Sequence, residues 1–445
     1  MKGLIHMLDI KYIRENAEAV KKNCESRSIK CDVDRLLQLD EKRKSLLQYV
    51  EALNAEKNKL NELIQLSKDD ERKALIEQGK AVKDKLEQTK PETEEVEKEY
   101  KTLLMQVPNV THPDMPIGKD DSENRVIKSW GDIPKFDFEV KDHVRLGEDL
   151  DLIDIKKATE VSGSRFYYLK NEAVWLQFAI INFTFETLSQ EKILKEIIKE
   201  TGAKVSAKPF VSILPPVMIK HEVQNSIHRV FGEQTYRFEE DNLNLVASAE
   251  HTLAPYHMNE VVDGESLPLR YIGYSTAFRR EAGTYGKDMK GILRVHQFDK
   301  LEMESFTDAE TGADEQKFIV GIQEYLVRAL KIPYQVVHVC TGDTGRPDYD
   351  QFDIECFLPG QNKYRETHTS DYMTDYQMRG INSFYKNKKG EKRLLHTNDA
   401  TAFAIGRILI AILENYQQSD GSVLIPEVLK KYMPEGMEKI VKRPK

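Results

Sequence analysis

FRREAGTYGKDMKGILRVHQFDKLE, residues Phe278–Glu302, is the stretch on which the reading of the whole chain turns. It opens on Arg279-Arg280-Glu281, passes through a loop holding Gly283, Gly286 and Gly291 among Lys287, Asp288 and Lys290, and returns through Arg294 and Phe298 to Glu302. Alternation around Tyr271–Phe278 and Ile292–Phe298 predicts two strands of an antiparallel hairpin joined by a long loop. Such a hairpin gathers cations, a carboxylate and an aromatic ring on one wall. These groups suit a nucleotide: guanidinium for phosphate, Glu281 for an exocyclic amine, Phe298 to stack on a base. The same residues could equally make a charged surface hairpin, and only the rest of the chain separates the two.

At 445 residues the chain is long enough for two or three domains with substantial cores. Charged residues make up 31%, hydrophobic ones 40%, and the formal net charge is -8. This acidic balance argues against a simple electrostatic nucleic-acid binder, so an RNA partner needs a local basic surface. Cys24, Cys31, Cys340 and Cys356 form no C-x-x-C pair, and neither a zinc knuckle nor a disulfide framework is suggested. No apolar run reaches the ~18 residues of a membrane span, and Met1–His6 is too short for a signal peptide. The expectation is a cytoplasmic protein without a membrane partner.

Leu8–Ser26 reads as a short helix. From Asp34 onward the chain is nearly free of Gly and Pro and rich in Lys, Glu, Gln and Leu. Leu39, Leu46, Leu53 and Leu60 repeat every seven residues, and after a polar break at Ser67–Asp70 so do Leu75, Val82, Thr89, Val96 and Leu103. Two heptad helices with a tight turn predict an antiparallel coiled-coil arm. Each limb has roughly 35 residues, which at about 1.5 Å per residue extends ~50 Å. Pro91 should kink the second limb or remove one hydrogen bond. Three prolines in Val107–Asp121 break the helix and read as a linker. The expected domains are thus 1–106, a linker at 107–121, and 122–445.

Beyond the linker, Arg165–Leu169 reads as a strand, and Glu172–Leu188 as a long helix continuing through Gln190–Glu200. Phe210–Pro216 is an apolar segment closed by two prolines. Leu243–Glu250, LNLVASAE, reads as a strand ending on Ser-Ala-Glu. Tyr334–Val339 and Phe352–Leu358 alternate like strands of a half-buried sheet. In His396–Tyr416 the centre is apolar nearly all round, which predicts a buried helix over Thr401–Leu413. Arg407 then lies in its middle, and a buried guanidinium requires an anion, either a structural carboxylate or a ligand.

Phe-Arg-x-Glu, a Gly-rich loop and Arg-x-x-x-Phe is the motif 2 pattern of class II aminoacyl-tRNA synthetases. The fuller wording REAG…GKD…KGI.R.HQFDK.E resembles that of seryl-tRNA synthetases, as do the arm, the CTGD…YD.E region and the tail ENYQQSDGSVLIPEVLKKYM. The helix, strand and prolines up to Pro216 resemble motif 1, and the small residues before Gly406-Arg407 resemble motif 3. Family members usually begin at MLDIK, which makes Met7 a second possible start and Met1–His6 an extension. Two places depart from the family. Ser248 replaces the usual Thr, keeping the hydroxyl but losing a methyl. Tyr364–Thr369, YRETHT, stands where the family reads Y-R-E-[I/V]-S-S-C-S-N, so that His368 and Ser370–Met373 are unlike it; His368 is expected in a surface loop.

The resemblance implies an α+β fold: an antiparallel-sheet class II catalytic domain with an N-terminal tRNA-binding coiled-coil arm. It implies ATP-dependent activation of L-serine to seryl-adenylate and transfer to the 3′ end of tRNA(Ser), by a homodimer using ATP and Mg²⁺. Carried over position by position, Arg279 and Arg407 would be catalytic, holding the α- and γ-phosphates, with Glu281 on the adenine amino group and Phe298 on its ring. Arg280 and Val295 would line the nucleotide pocket. Glu366 and Thr369 would carry the divalent ion, with Thr367 and His368 beside it. Ser248, Ala249, Glu250, Glu302 and Thr401 would surround serine, Glu302 reading the hydroxyl; the alternative is that Glu302 is a surface glutamate in the charged run Lys300–Glu304, where Glu304 could serve equally well in a solvated ion pair. Two other readings stay open: a paralogue that activates an amino acid for a non-tRNA acceptor, and a non-catalytic RNA-binding protein.

Overall fold

The structure, a computed structural model, describes residues 8–229, 232–282 and 290–443. The Met1–His6 extension and the Gly283–Asp288 part of the motif 2 loop lie outside the described residues. Two compact units adjoin in sequence between Pro108 and Asn109.

In the first unit the predicted N-terminal helix is two, Ile10–Glu15 and Ala17–Ser26, separated at Asn16. Helices α1 (Val33–Leu66) and α2 (Asp69–Leu104) follow. Asp32 caps α1 by accepting from the Arg35 amide at 2.8 Å. Leu53, Leu60 and Val82 are buried together, with Leu75 and Leu86 packed against them, so the two heptad seams face each other. Arg35–Glu99, Lys42–Glu92 and Arg43–Glu97 bridge the helices along the flanks. Pro91 lies inside α2 without ending it; the heptad contacts on either side hold the helix through the missing donor.

The second unit is built on an eight-stranded sheet. Its strands in chain order are β1 (Arg125–Trp130), β2 (Val211–Ile213), β3 (Leu269–Phe278), β4 (Gln297–Thr307), β5 (Tyr334–His338), β6 (Asp350–Leu358), β7 (Lys363–Thr374) and β8 (His396–Ala404). The spatial order is β1-β5-β6-β7-β8-β4-β3-β2, antiparallel throughout except for β2 beside β3. One face is apolar. Leu301 and Met303 of β4, Ala400 and Ala402 of β8 and Ile354 of β6 join Phe318, Ile319 and Ile322 of helix α5 (Gly312–Ala329) in the main core. Strand side chains alternate, so Glu302, Glu304, Asp399 and Thr401 face the other way. That polar face carries the site.

Several expected boundaries move. Residues 109–121, read as a linker, are held by the second unit: buried Asn109 donates to the carbonyls of Pro347 and Met373 at 2.9 and 2.8 Å, and the Thr341 amide donates to the carbonyl of Pro116. The long helix, α3 (Glu172–Ser189), stops at Ser189, and a separate helix, α4 (Glu191–Thr201), follows it. The second hairpin strand begins at Gln297 rather than Ile292, because Ile292, Leu293 and Val295 bury themselves as an irregular return segment. Leu243–Leu245 alone is strand in LNLVASAE. Motif 3 departs furthest: Thr401 belongs to β8, and helix α6 starts only at Ile405 and runs to Asn415.

Candidate active site

Strands β3 and β4 pair in register, Phe278 opposite Gln297 and Gly273 opposite Glu302. That register sets Arg279 beside Phe298, with the guanidinium carbon 5.3 Å from the ring centroid. Arg279 also donates toward the Ala247 carbonyl at 3.4 Å, while burial and the neighbouring Arg407 cation both push its pKa down. Glu281 forms an ion pair with Arg294 at 2.5 Å across the base of the loop. These side chains, together with Ile292, Leu293 and Val295, line one wall of a cavity of about 340 Å³. A cavity of this size with an apolar slot and convergent charges suits a small-molecule site. Arg280 does not join them: it is exposed, outside the lining, and its amide donates to the Gln234 carbonyl at 2.8 Å.

The opposite wall depends on two bulges. Ile354 pairs with His368 but Glu355 pairs with Glu366, which leaves Thr367 as an extra residue in β7. Residues three apart on a regular strand face opposite ways; the inserted Thr367 turns Glu366 and Thr369 to the same cavity. Likewise Leu301 pairs with Phe403 and Glu302 with Thr401, so Ala402 is the extra residue in β8 and Thr401 falls beside Glu302. Thr401 is 3.4 Å from Glu302 Oε1 as a donor and 3.2 Å from the Thr369 hydroxyl.

His368 is not in a surface loop. It is 1% exposed within β7, its Nδ1 is 2.7 Å from Thr367 Oγ1, and its ring lies 5.3 Å from that of Phe403 on the core side. Burial pushes its pKa down to about 3, so it is neutral at physiological pH. It does not line the cavity. Arg407 sits in the first turn of α6 rather than mid-helix, and its Nη1 donates to both the Glu366 carboxylate and its carbonyl oxygen at 2.8 Å.

Glu302 is fully buried beneath the cavity floor and collects three donors: Lys300 Nζ at 2.5 Å, Ser248 Oγ at 2.9 Å and Thr401 Oγ1. Ser248 and Glu250 line the cavity, whereas Ala249 is buried behind it. Glu304 is no surface residue. It is 0% exposed, neither carboxyl oxygen has a hydrogen-bond partner, and burial with the nearby Glu250 holds its pKa well above the carboxylate range.

Four participants escaped the sequence reading. Lys300 covers Glu302. Arg229, Asp371 and Asp399 line the inner end of the cavity. The Asp399 signal was present in the alternation of Asp399 and Thr401, but is visible only once His396–Ala404 is read as a strand. Arg229 left no such signal, since nothing in HRVFGEQ marks a residue that folds over a distant sheet.

A divalent ion fits the acidic rim beside Glu366. Among the described residues no three His, Cys, Asp or Glu side chains converge as a closed metal cage. One carboxylate and a hydroxyl, Glu366 and Thr369, match an ion that keeps waters and substrate phosphates as its other ligands. Burial and the Glu366 charge push the Asp353 pKa well up, which marks the local excess of negative charge that a cation would relieve.

Comparison with known proteins agrees with this architecture. Residues 7–111 match the seryl-tRNA synthetase N-terminal domain and residues 236–416 the tRNA synthetase class II core domain (G, H, P, S and T). The serine–tRNA ligase of Treponema denticola is 42% identical over 432 residues, covering 96% of this chain and 98% of the relative. That of Dictyoglomus turgidum is 40% identical over 445 residues, covering 99% and 100%. The crystal structure of seryl-tRNA synthetase from Pyrococcus horikoshii, complexed with ATP, aligns at TM-score 0.83 and 36% identity over 98% of this chain and 100% of that one. A hairpin wall of Arg279 and Phe298, a bulged wall of Glu366 and Thr369, and matches at both ends of the chain place it in the seryl-tRNA synthetase family.

Proposed function

We propose that this chain is an ATP-dependent serine–tRNA ligase that converts L-serine to seryl-adenylate and passes the seryl group to the 3′ end of tRNA(Ser). The observation that carries this reading is the buried Glu302 carboxylate, bracketed by the hydroxyls of Ser248 and Thr401 directly under a cavity walled by Arg279, Phe298 and Arg407.

No general base is needed for the first step, because a carboxylate is already a nucleophile. The serine carboxylate oxygen attacks the α-phosphorus of ATP, the bond to the β-phosphate oxygen breaks, and pyrophosphate leaves. What the protein must supply is placement and neutralisation of spreading negative charge. Arg279 faces the α-phosphate, Arg407 the γ-phosphate, and Phe298 with Val295 the base. Mg²⁺ held by Glu366 and Thr369, with Thr367 alongside, would supply further positive charge on the phosphates. In the second step a ribose hydroxyl of the tRNA end attacks the acyl carbon and AMP departs.

The N-terminal unit is assigned to tRNA(Ser), on the support of its coiled-coil helices and its match to the family's N-terminal domain. We read the enzyme as a homodimer, supported by Trp175 and Phe178 on the long helix Glu172–Ser189 and Val126 and Ile127 on edge strand β1, all about half exposed. A cytoplasmic location goes with this function; among the described residues no helix is long and apolar enough to cross a membrane.

Pyrophosphate exchange with each of the twenty amino acids, followed by charging of tRNA(Ser), tests the reading. Exchange with serine and charging of tRNA are expected. Exchange without charging would favour the paralogue with another acceptor, and no exchange at all would favour an RNA-binding protein.

A further inference from the structure

The return segment Gly291–Val295 brings Ile292, Leu293, Arg294 and Val295 to the wall of the cavity, yet it lies outside every strand and so has no ladder to fix it. Its main chain is held from two sides instead. The Ile292 amide donates to His143 Nε2 at 3.3 Å. On the other side α6 begins so close that a Cβ on Gly406 would lie 3.3 Å from the Ile292 carbonyl oxygen. Gly291, with φ +78°, passes against the imidazole, and a Cβ there would overlap Nε2.

His143 is 4% exposed, opens the short helix His143–Asp149 and does not line the cavity. Its Nδ1 and its own amide both meet Glu414 Oε1, at 3.0 and 2.9 Å, and Glu414 Oε2 accepts from the Gly360 amide at 2.8 Å. A carboxylate accepts, and the Ile292 N–H needs an acceptor. The tautomer with its proton on Nδ1 satisfies both contacts at once. Glu414 is fully buried near the end of α6, two turns beyond Arg407. One helix therefore carries a cation of the cavity and also anchors the ring that holds the facing segment.

We propose that His143, locked by Glu414, is a positioning residue for the nucleotide: it fixes the main chain at Ile292 and so holds Leu293 and Val295 where the adenine ring of ATP is received. This rests on the ATP-dependent reading above and deepens it. Ile292 is buried, so its amide loses free energy when it loses its acceptor, and the segment has to shift to find another. A shift of about 1 Å in a substrate-positioning wall is enough to cost ~10²-fold in rate. Arg294 rides on the same segment, and with it goes its ion pair to Glu281.

His143→Asn and His143→Gln divide the two ring contacts. Asparagine places its amide nitrogen where Nδ1 was and still donates to Glu414, but nothing reaches Ile292. Glutamine reaches Ile292 with its amide oxygen. In serine-dependent pyrophosphate exchange His143→Asn should raise the KM for ATP at least tenfold, with the KM for serine unchanged within twofold. His143→Gln should return the KM for ATP to within threefold of the parent. Two inhibitors competitive with ATP locate the defect: His143→Asn should weaken adenosine at least tenfold and leave tripolyphosphate within twofold. Gly291→Ala keeps His143 and Glu414 intact but drives a Cβ into the ring, so it should reproduce the pattern of His143→Asn; it carries the test if thermal melts show that the histidine variants do not fold. A KM for ATP within twofold of the parent in folded His143→Asn or in Gly291→Ala would overturn the proposal. So would equal weakening of adenosine, tripolyphosphate and serine, the mark of a merely structural histidine, or a folded His143→Gln that binds ATP no better than His143→Asn. Absence of exchange in the parent protein with every amino acid would instead sink the ATP-dependent reading, and this assignment with it.

Discussion

Arg407 and Glu366 form an ion pair across the site: one guanidinium nitrogen donates at 2.8 Å to both the carboxylate and the main-chain oxygen of the same residue. They belong to the first turn of α6 and to the bulged part of β7, which meet only through the tertiary fold. In the proposed reaction the same two groups serve opposite ends of Mg-ATP, so the pair has to open as the nucleotide enters. Partly exposed ion pairs contribute only about 0–1 kcal/mol to stability, so opening is cheap.

Arg407→Ala should accordingly raise the KM for ATP more than tenfold while changing that for serine less than threefold. Its melting temperature should stay within a few degrees of the parent, because the pair is at the rim. A variant that simply unfolds would show the guanidinium to be structural; thermal melts run beside the kinetics separate the outcomes.

His368 makes two predictions. Its ring packs on Phe403 and away from the cavity, so His368→Ser should alter serine activation by less than about threefold, under ~0.7 kcal/mol. Stability should respond more. His228, at about 4, and His251 and His368, at about 3, all have pKa values lowered by burial. Each is neutral when folded but takes a proton when unfolded below pH ~6.5. Stability from these groups is therefore complete above that pH and falls as pH drops toward the folded values, by about 1.4 kcal/mol per pH unit for each histidine. Urea melts at pH 7.5 and 5.5 should show the loss, and His368→Gln should remove one histidine's share of the slope.

The arm can be tested by deletion. Removing Asp34–Leu104, which comprises nearly all of α1 and α2, should leave serine-dependent pyrophosphate exchange largely intact while charging of tRNA(Ser) collapses. Parallel loss of both activities would show that these helices are needed by the catalytic unit itself.

What the sequence disclosed and what it hid follow from how each feature is encoded. The heptads of α1 and α2 are local repeats, and the helices are where the leucines put them. Arg279, Phe298 and Glu302 lie close together in one quoted stretch, and the hairpin register keeps them on the site. Thr401 was placed in a helix because an apolar run reads alike as buried strand or buried helix, and the switch at Ala404–Ile405 carries no Gly, Pro or capping side chain. Glu304 looked like a surface residue because a charged run normally is one; nothing local says that β4 is covered on both faces. Arg229 could not be found at all, as its carboxylate partners, Glu250, Asp348, Asp371 and Asp399, come from four separate parts of the chain.

Glu302 and Glu304 offer the sharpest test, since they share a strand and a face but differ in partners. Serine presents a pocket with one distinguishing group, its hydroxyl. An apolar pocket rejects alanine weakly, whereas a buried acceptor left unpaired rejects it strongly, by about 10⁴-fold. Glu302 is the buried acceptor here; it already accepts from Lys300, Ser248 and Thr401, so its discrimination falls below that of a wholly unpaired acceptor. For the substrate hydroxyl to donate, it must enter alongside Lys300 or displace it. Glu302→Ala should therefore lower serine activation by about 10²-fold or more, on the scale of ~3 kcal/mol for a lost hydrogen bond to charge, and narrow the gap between serine and alanine. Glu304 has no hydrogen-bond partner, and burial holds its pKa well above the usual carboxylate range, so Glu304→Gln should keep the parent preference for serine. Glu304→Ala should lose stability through the cavity it leaves while preserving that preference. Kinetics with serine and alanine on all three variants check this: equal behaviour of Glu302→Ala and Glu304→Ala, or an intact serine preference without Glu302, would mean that another group reads the hydroxyl.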